Sequence, residues 1–93
     1  MIPRKKPDSN LPSITAIILT KNEADMIANC IDTVRWCNEV LIIDNDSSDA
    51  TATIAENAGA RVITFKSNDF AKKRELGLKH AKTDWVFFID ADE

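Results

Sequence analysis

Ninety-three residues make one small domain, and 44% hydrophobic with 29% charged residues is an ordinary globular composition. It excludes a disordered tail, a collagen-like repeat and a coiled coil, and a net charge of −3 argues against a nucleic-acid partner, which needs a basic face. The two glycines cannot build the glycine-rich phosphate loops of P-loop or dinucleotide-binding proteins.

Residues 1–12 are predicted to be a flexible basic tail. Arg4, Lys5 and Lys6 lie there between two prolines, and no apolar segment of signal-peptide type accompanies them. Three charges are fewer than a polybasic membrane anchor carries. We therefore expect a cytoplasmic protein, with at most a peripheral contact at the cytoplasmic face of the membrane.

From residue 13 onward one pattern repeats: a short run of β-branched residues, a polar turn, and a stretch with helical spacing of apolar residues. Strands are predicted at Ser13–Leu19, Val40–Asp44, Arg61–Phe65 and Trp85–Ile89, and helices at Ala24–Arg35, Asp49–Asn57 and Phe70–Ala81. Gly59 follows the second helix, where a residue with positive φ is expected. The order β-α-β-α-β-α-β predicts an α/β fold, a Rossmann-like three-layer α/β/α arrangement around a parallel sheet.

The cysteines and tryptophans are interpreted as structural. Cys30 and Cys37 are too few for a disulfide framework or a zinc site, so we expect reduced, partly buried thiols. Trp36 and Trp85 are interpreted as core aromatics.

Polar side chains collect where the predicted strands end, which is where parallel α/β sheets bind ligands. They are Thr20, Lys21, Asn22 and Glu23 after the first strand, Asp44, Asn45, Asp46, Ser47 and Ser48 after the second, and Asp90, Asp92 and Glu93 after the fourth. Clustered carboxylates repel one another unless a cation joins them, and oxygen ligands suit Mg²⁺ or Mn²⁺. An Asp-x-Asp motif after a buried strand therefore indicates a divalent ion that also holds phosphate oxygens.

Structural interpretations of the same residues stay open. Taken alone, Asp44 and Asp46 favour capping of the following helix over ligand binding. Arg74 shares its helix with three lysines, Lys72, Lys73 and Lys79, which is typical of a solvated face. The pair at the end of the last strand is harder to explain in this way, because no helix follows it.

Four stretches carry a family resemblance. They are residues 17–23 (Ile-Ile-Leu-Thr-Lys-Asn-Glu), 39–51, 70–78 and 84–93 (Asp-Trp-Val-Phe-Phe-Ile-Asp-Ala-Asp-Glu). In this order and spacing they resemble the N-terminal, nucleotide-sugar-binding half of family 2 inverting glycosyltransferases of the GT-A fold. The most similar subgroup includes the lipopolysaccharide-core glucosyltransferases of the cell envelope. The resemblance covers residues 13–93 and implies the strand order 3-2-1-4.

The resemblance also implies a role for each matching position. Thr20, Asn22 and Glu23 would lie against the nucleoside, and Asp44, Asn45 and Asp46 would form the base-binding loop. Arg74 would approach the diphosphate or the sugar, while Asp90 and Ala91 would face the ribose and sugar. Asp92 together with Asp90 would hold Mg²⁺ or Mn²⁺. The implied donor is a nucleotide-diphosphate sugar, most naturally a UDP-sugar. The implied acceptor is a glycan or a lipid-linked, lipopolysaccharide-type molecule.

The chain departs from the family pattern in two respects. Asn45, Asp46, Ala50 and Glu75 stand where members commonly have Asp or Ser, Gly, Gly and Asn. In addition, the acceptor-binding half and its general base are expected beyond Glu93, the last residue of the sequence. We therefore expect the donor-binding portion of an enzyme, inactive on its own.

Three other functions are alternatives. A non-catalytic nucleotide-binding fragment differs from the donor portion only in lacking the base. A nucleotidyltransferase-like domain would need a glycine-rich loop after the first strand, which residues 20–23 lack. A receiver-like signalling domain would need an Asp after the third strand, where the sequence has Phe65-Lys66-Ser67. The strand order leaves the apolar strand 85–89 at an edge, so we also expect self-association through it.

Overall fold

The computed structural model describes residues 2–3 and 12–91. In chain order its elements are β1 (Ile2–Pro3), β2 (Ile14–Thr20), α1 (Ile27–Thr33), β3 (Glu39–Asp44), α2 (Thr51–Asn57), β4 (Arg61–Thr64), α3 (Phe70–His80) and β5 (Trp85–Asp90). From β2 onward the alternation of strands and helices is the predicted one.

The sheet has the order β1-β5-β2-β3-β4, and the four longer strands run parallel. Counted among the predicted strands this order is 3-2-1-4, which confirms the expectation. Strands β2 and β3 occupy the middle and are almost entirely buried, because their runs of isoleucine, leucine and valine are covered on both faces. The carboxyl ends of β2, β3 and β5 therefore meet at one edge of the sheet.

Strand β1 was not anticipated. It runs antiparallel to β5, with Ile2 opposite Val86 and Pro3 opposite Trp85. For these two residues the expected flexible tail is corrected, while residues 4–11 lie outside the described part of the chain. Two residues are too few for a periodic pattern, so the sequence carries no signal for β1. The pairing also corrects the expected open edge over Trp85 and Val86; self-association through the remainder of β5 stays a prediction.

Helices cover both faces of the sheet, as predicted. One core cluster joins α1 and α2 to the sheet, with Ile18, Ile27, Ile31, Ile42 and Ala55 among its fully buried members. The other lies on the α3 face and includes Ile17, Leu41, Ile43 and Val86. Neighbouring residues of β2 point to opposite clusters, as the two-residue period of a strand requires.

Local sequence signals account for the end of α2 and the start of α3. Gly59 has φ of 97° after α2, and Asp69 caps α3 by accepting hydrogen bonds from Ala71 N at 2.9 Å and Lys72 N at 3.2 Å. Helix α1 begins at Ile27, three residues later than predicted. The Glu23 carbonyl accepts from the backbone amides of Met26 and Ile27, so a turn precedes the helix.

Helix α3 packs closely on β2 because residue 77 is glycine. A Cβ atom at this position would lie 2.9 Å from Ile17 Cδ1 and 3.0 Å from Ile17 Cγ2. Gly77 thus sets the depth at which α3 lies on the sheet.

The cysteine interpretation fits the structure, and one tryptophan interpretation was wrong. Cys30 and Cys37 are buried free thiols. Burial raises the pKa of both, and the charge of Glu23 raises that of Cys30 further, which disfavours the reactive thiolate. Trp36 is 62% exposed and lies beside Phe87, with ring centroids 6.3 Å apart.

None of the helices within the described residues is long and apolar enough to cross a bilayer.

Candidate nucleotide-binding edge

The loops after β2 and β3 are joined by hydrogen bonds between side chains and backbone. Lys21 Nζ donates to the carbonyl oxygens of Asn45 at 2.9 Å and Asp46 at 3.2 Å. Asn22 N donates to Ser47 Oγ at 2.8 Å, and Asn22 Oδ1 accepts from Ser48 N at 2.8 Å. We call residues 20–24 and 44–51 the paired loops; their contacts link positions some 25 residues apart in sequence.

Asp44 lies at the base of the paired loops and is only 2% exposed. Its carboxylate accepts hydrogen bonds from the Thr20 hydroxyl at 2.5 Å, from Ser47 N at 2.9 Å and from Ser47 Oγ at 2.6 Å. These donors compensate for removing the charge from water. Asp44 therefore holds the loop in shape, and so do Thr20 and Ser47.

Two residues of the paired loops adopt the left-handed backbone conformation. Asn22 has φ of 53° and Asp46 has φ of 51°. Asn and Asp tolerate this region better than other side chains do, and glycine best of all. A glycine at position 46, which the resemblance implies for the family, would adopt this conformation without strain. Asn45 links the paired loops to the segment that follows β4, since its Oδ1 accepts a hydrogen bond from Ser67 N at 3.0 Å.

Asp49 and Thr51 complete the paired loops. The Thr51 hydroxyl donates to Asp49 Oδ1 and accepts from Glu23 N at 2.9 Å, while Ala24 N donates to Asp49 Oδ2 at 3.2 Å. The Thr51 hydroxyl, helped by the backbone amides, holds the pKa of Asp49 below its usual value. Helix α2 has no side-chain cap, so neither Asp44 nor Asp46 caps it.

A cleft of about 210 Å³ opens between the end of β2, the end of β5 and the start of α3. Its lining includes Thr20, Glu23 and Asp90 from the predicted set, together with Leu19, Lys21, Phe70 and Lys73. Asp90 lies opposite Leu19 in the β2–β5 register and is exposed, and its carboxylate forms no hydrogen bond or ion pair with a described residue. The cleft thus joins residues that the sequence analysis placed after two different strands.

Other predicted residues lie outside this cleft. Arg74 is exposed and lines a neighbouring cavity of about 120 Å³ that also contacts Asp90. Ala91 is buried and lines a separate cavity beside α1. Asp92 lies beyond the described residues, and within those residues no group of three acidic, His or Cys side chains could hold a metal.

Lys73 is the charged cleft residue that the sequence pattern had assigned to a solvated helix face. Lys73 is only 6% exposed, and its Nζ lies 4.4 Å from the centroid of the Phe70 ring. The signal was helical spacing: Phe70, Lys73 and Gly77 follow one another at intervals of three and four residues. Gly77 faces β2, so Lys73, one turn earlier, faces inward too, whereas Lys72 and Lys79 are exposed.

A parallel α/β sheet with a polar cleft at its carboxyl edge is the architecture of many nucleotide-binding proteins. The family described as "Glycosyl transferase family 2" matches residues 15–93, and the chain therefore belongs to that family. An uncharacterized glycosyltransferase from Rickettsia bellii is 38% identical over 81 residues, which are 86% of this chain and 28% of that protein. The glycosyltransferase SunS of Bacillus subtilis is 34% identical over 88 residues, covering 90% of this chain and 21% of SunS.

Solved structures share the fold. Mannosyl-3-phosphoglycerate synthase from Rubrobacter xylanophilus superposes with a TM-score of 0.79 at 25% identity, over 87% of this chain and 31% of that one. Glucosyl-3-phosphoglycerate synthase from Mycobacterium tuberculosis, solved with Mn²⁺, UDP and glucosyl-3-phosphoglycerate, gives 0.76 at 24% identity, over 86% of this chain and 33% of that one. The chain thus spans about a third or less of the proteins that it resembles.

Proposed function

We propose that this chain binds the nucleotide part of a nucleotide-diphosphate sugar, a UDP-sugar, at the carboxyl edge of its sheet. The observation that carries the proposal is the cleft that brings Thr20, Glu23 and Asp90 together in a glycosyltransferase family 2 domain. A complex of the M. tuberculosis synthase with UDP and Mn²⁺ supports the choice of ligand, since the folds superpose.

The division of labour follows from the two parts of this edge. The paired loops present a fixed surface of backbone and amide groups, including Asn22 and Asn45, against which a flat base and its ribose can lie. The cleft presents charged groups and would receive the phosphates. Under this proposal Asp44 positions the base-binding loop.

Asp90 fits a role in holding a divalent cation. Its carboxylate lies at a strand end, exposed and without a hydrogen-bonding partner in the described chain, and oxygen ligands suit Mg²⁺ or Mn²⁺. We propose that Asp90 and Asp92 hold the ion, as the Asp-x-Asp spacing suggests. When bound, the ion would neutralise charge on the departing nucleoside diphosphate.

The transfer reaction belongs to the proposal as well. Residues 13–93 would form the donor-binding portion, and the sugar would pass with inversion to a glycan or a lipopolysaccharide-type acceptor. In such a reaction the acceptor hydroxyl attacks the anomeric carbon, its proton goes to a carboxylate base, and the nucleoside diphosphate leaves. The described residues of this chain bind and orient the leaving group.

Calorimetry with UDP tests the proposal. The wild-type chain is expected to bind UDP in Mn²⁺ and to lose about tenfold or more in affinity in EDTA. Asp90→Asn and Asp92→Asn should bind as weakly in Mn²⁺ as the wild type does in EDTA. Glu56→Gln, an exposed acid on α2, is the matched control and should bind like the wild type. A wild-type chain that binds no UDP with either additive would overturn the proposal.

A further inference from the structure

The inward face of α3 carries a buried cation. Lys73 and Gly77 are the buried residues of this helix. The Lys73 ammonium makes no hydrogen bond or ion pair with any described residue, and it lies over the Phe70 ring. A cation of low exposure is costly unless an anion or several acceptors compensate for lost water, and one aromatic ring compensates only in part.

Lys73 and the Phe70 ring beneath its ammonium both line the cleft of about 210 Å³. Thr20, Lys21, Glu23 and Asp90 share this cleft with Lys73. Lys21 is already engaged with two carbonyl oxygens of the paired loops. Within the described residues, Lys73 is therefore the cation of the cleft that is left to meet an incoming anion.

The other cations of α3 are placed differently. Lys72 is exposed and lines a cavity on the Phe65 side of the helix. Arg74 is exposed, and its Cζ lies 5.9 Å from the Phe70 centroid. Solvent screens both charges, whereas the charge of Lys73 acts in a partly desolvated cleft where its attraction for an anion is stronger.

We propose that Lys73 contacts the diphosphate of the bound nucleoside diphosphate and is the main protein cation for it, in preference to Arg74. This inference rests on the proposed function. The carboxylates of Glu23 and Asp90 line the same cleft and would repel a bare phosphate. A ligand that brings a divalent cation with its diphosphate suits this mixture of charges, because the cation would meet the Asp90 carboxylate and Lys73 would meet the phosphate oxygens.

The test compares UDP with uridine in Mn²⁺ by calorimetry. Lys73→Met should weaken UDP binding by about tenfold or more and change uridine binding by less than about twofold, because a charged hydrogen bond to phosphate is lost. Lys73→Arg should retain most of the affinity. Lys72→Met is the matched control and should change nothing, and Arg74→Met should cost less than Lys73→Met.

The outcomes separate the two proposals. Equal UDP affinity for Lys73→Met and the wild type would overturn the role of Lys73 while leaving nucleotide binding intact. An equal loss of UDP and uridine would show a structural role only. A wild-type chain without affinity for UDP would overturn both proposals.

Labelling of the wild-type chain gives an answer even if Lys73→Met fails to fold. Acetylation by acetic anhydride, followed by peptide mass spectrometry, reports each lysine separately. UDP with Mn²⁺ should slow acetylation of Lys73 and leave that of Lys72 unchanged, and uridine should protect neither. Acetylation of Lys73 at the same rate with and without saturating UDP would contradict the contact.

Discussion

The paired loops and the cleft lie side by side at the same edge of the sheet, but they differ in whether the chain itself supplies hydrogen-bonding partners for their polar side chains. In the paired loops Asp44, Asn22 and Asp49 each accept two or more hydrogen bonds from the protein itself. In the cleft the Lys73 ammonium and the Asp90 carboxylate have no hydrogen-bonding or ionic partner among the described residues. The polar side chains of the paired loops are hydrogen-bonded within the chain, whereas the charges of Lys73 and Asp90 would gain partners from a ligand.

This difference predicts that the paired loops contribute mainly to stability and that Lys73 and Asp90 contribute mainly to binding. Substitutions in the paired loops remove bonds that hold the fold, so they should lower the free energy of unfolding. Substitutions of Lys73 or Asp90 remove no such bond and should alter binding instead. The following predictions test the first half of this contrast, and the calorimetry above tests the second.

The largest expected effect comes from Asp44→Ala. It removes the acceptor for the Thr20 hydroxyl and for both donors of Ser47 in a buried place, which should cost about 3 kcal/mol of the free energy of unfolding. Urea denaturation followed by circular dichroism measures it. Asp46→Asn, a neighbouring exposed carboxylate with no recorded side-chain bond, is the control and should lie within about 0.5 kcal/mol of the wild type. Similar losses for both variants would contradict the bridging role of Asp44.

A smaller effect is expected at Asn22, where two causes can be separated. Asn22→Ala loses the acceptor of Ser48 N and also strains a backbone with φ of 53°, for about 2 kcal/mol together. Asn22→Gly loses the same acceptor without the strain, so about half that loss is expected. Denaturation midpoints of the two variants measure the difference. If glycine destabilises as much as alanine, the left-handed backbone contributes nothing.

The smallest effect is a pH dependence at Asp49. Because the Thr51 hydroxyl lowers the pKa of Asp49 in the folded chain, its contribution to stability is complete above the unfolded value of 3.8. The contribution is lost as the pH falls below that value through the lower folded pKa. The stability difference between the wild type and Asp49→Asn, measured by urea denaturation, should therefore shrink between pH 6 and pH 3. A difference that stays constant over this range would mean that the carboxylate is not preferentially ionised in the fold.

The layout of the fold could be predicted because each element carries its own signal. The buried runs of β2 and β3 are continuous and β-branched, Asp69 is a strong capping residue, and Gly59 fits a positive φ. The strand order came from the family resemblance. Strand β1 could not be foreseen, since its existence depends on a partner strand more than 80 residues away.

The site was predictable as a set of positions and less so as a set of contacts. Strand ends located Thr20, Glu23 and Asp90, which the cleft brings together. The hydrogen bonds of the paired loops depend on how two distant loops approach each other, and no local pattern encodes that. Lys73 was missed because charge suggested a solvated helix face, while the spacing to Gly77 indicated an inward one.

The contact between Gly77 and Ile17 has a consequence for how this family can vary. With a Cβ at position 77 only 2.9 Å from Ile17 Cδ1, the two side chains share one volume. Among homologous chains the sizes of residues 77 and 17 should be anticorrelated, with alanine at 77 accompanied by valine or a smaller residue at 17. A larger residue at 77 without a smaller one at 17 would lift α3 from the sheet and carry residue 73 away from the cleft. Positions 17 and 77 should therefore co-vary among homologous chains.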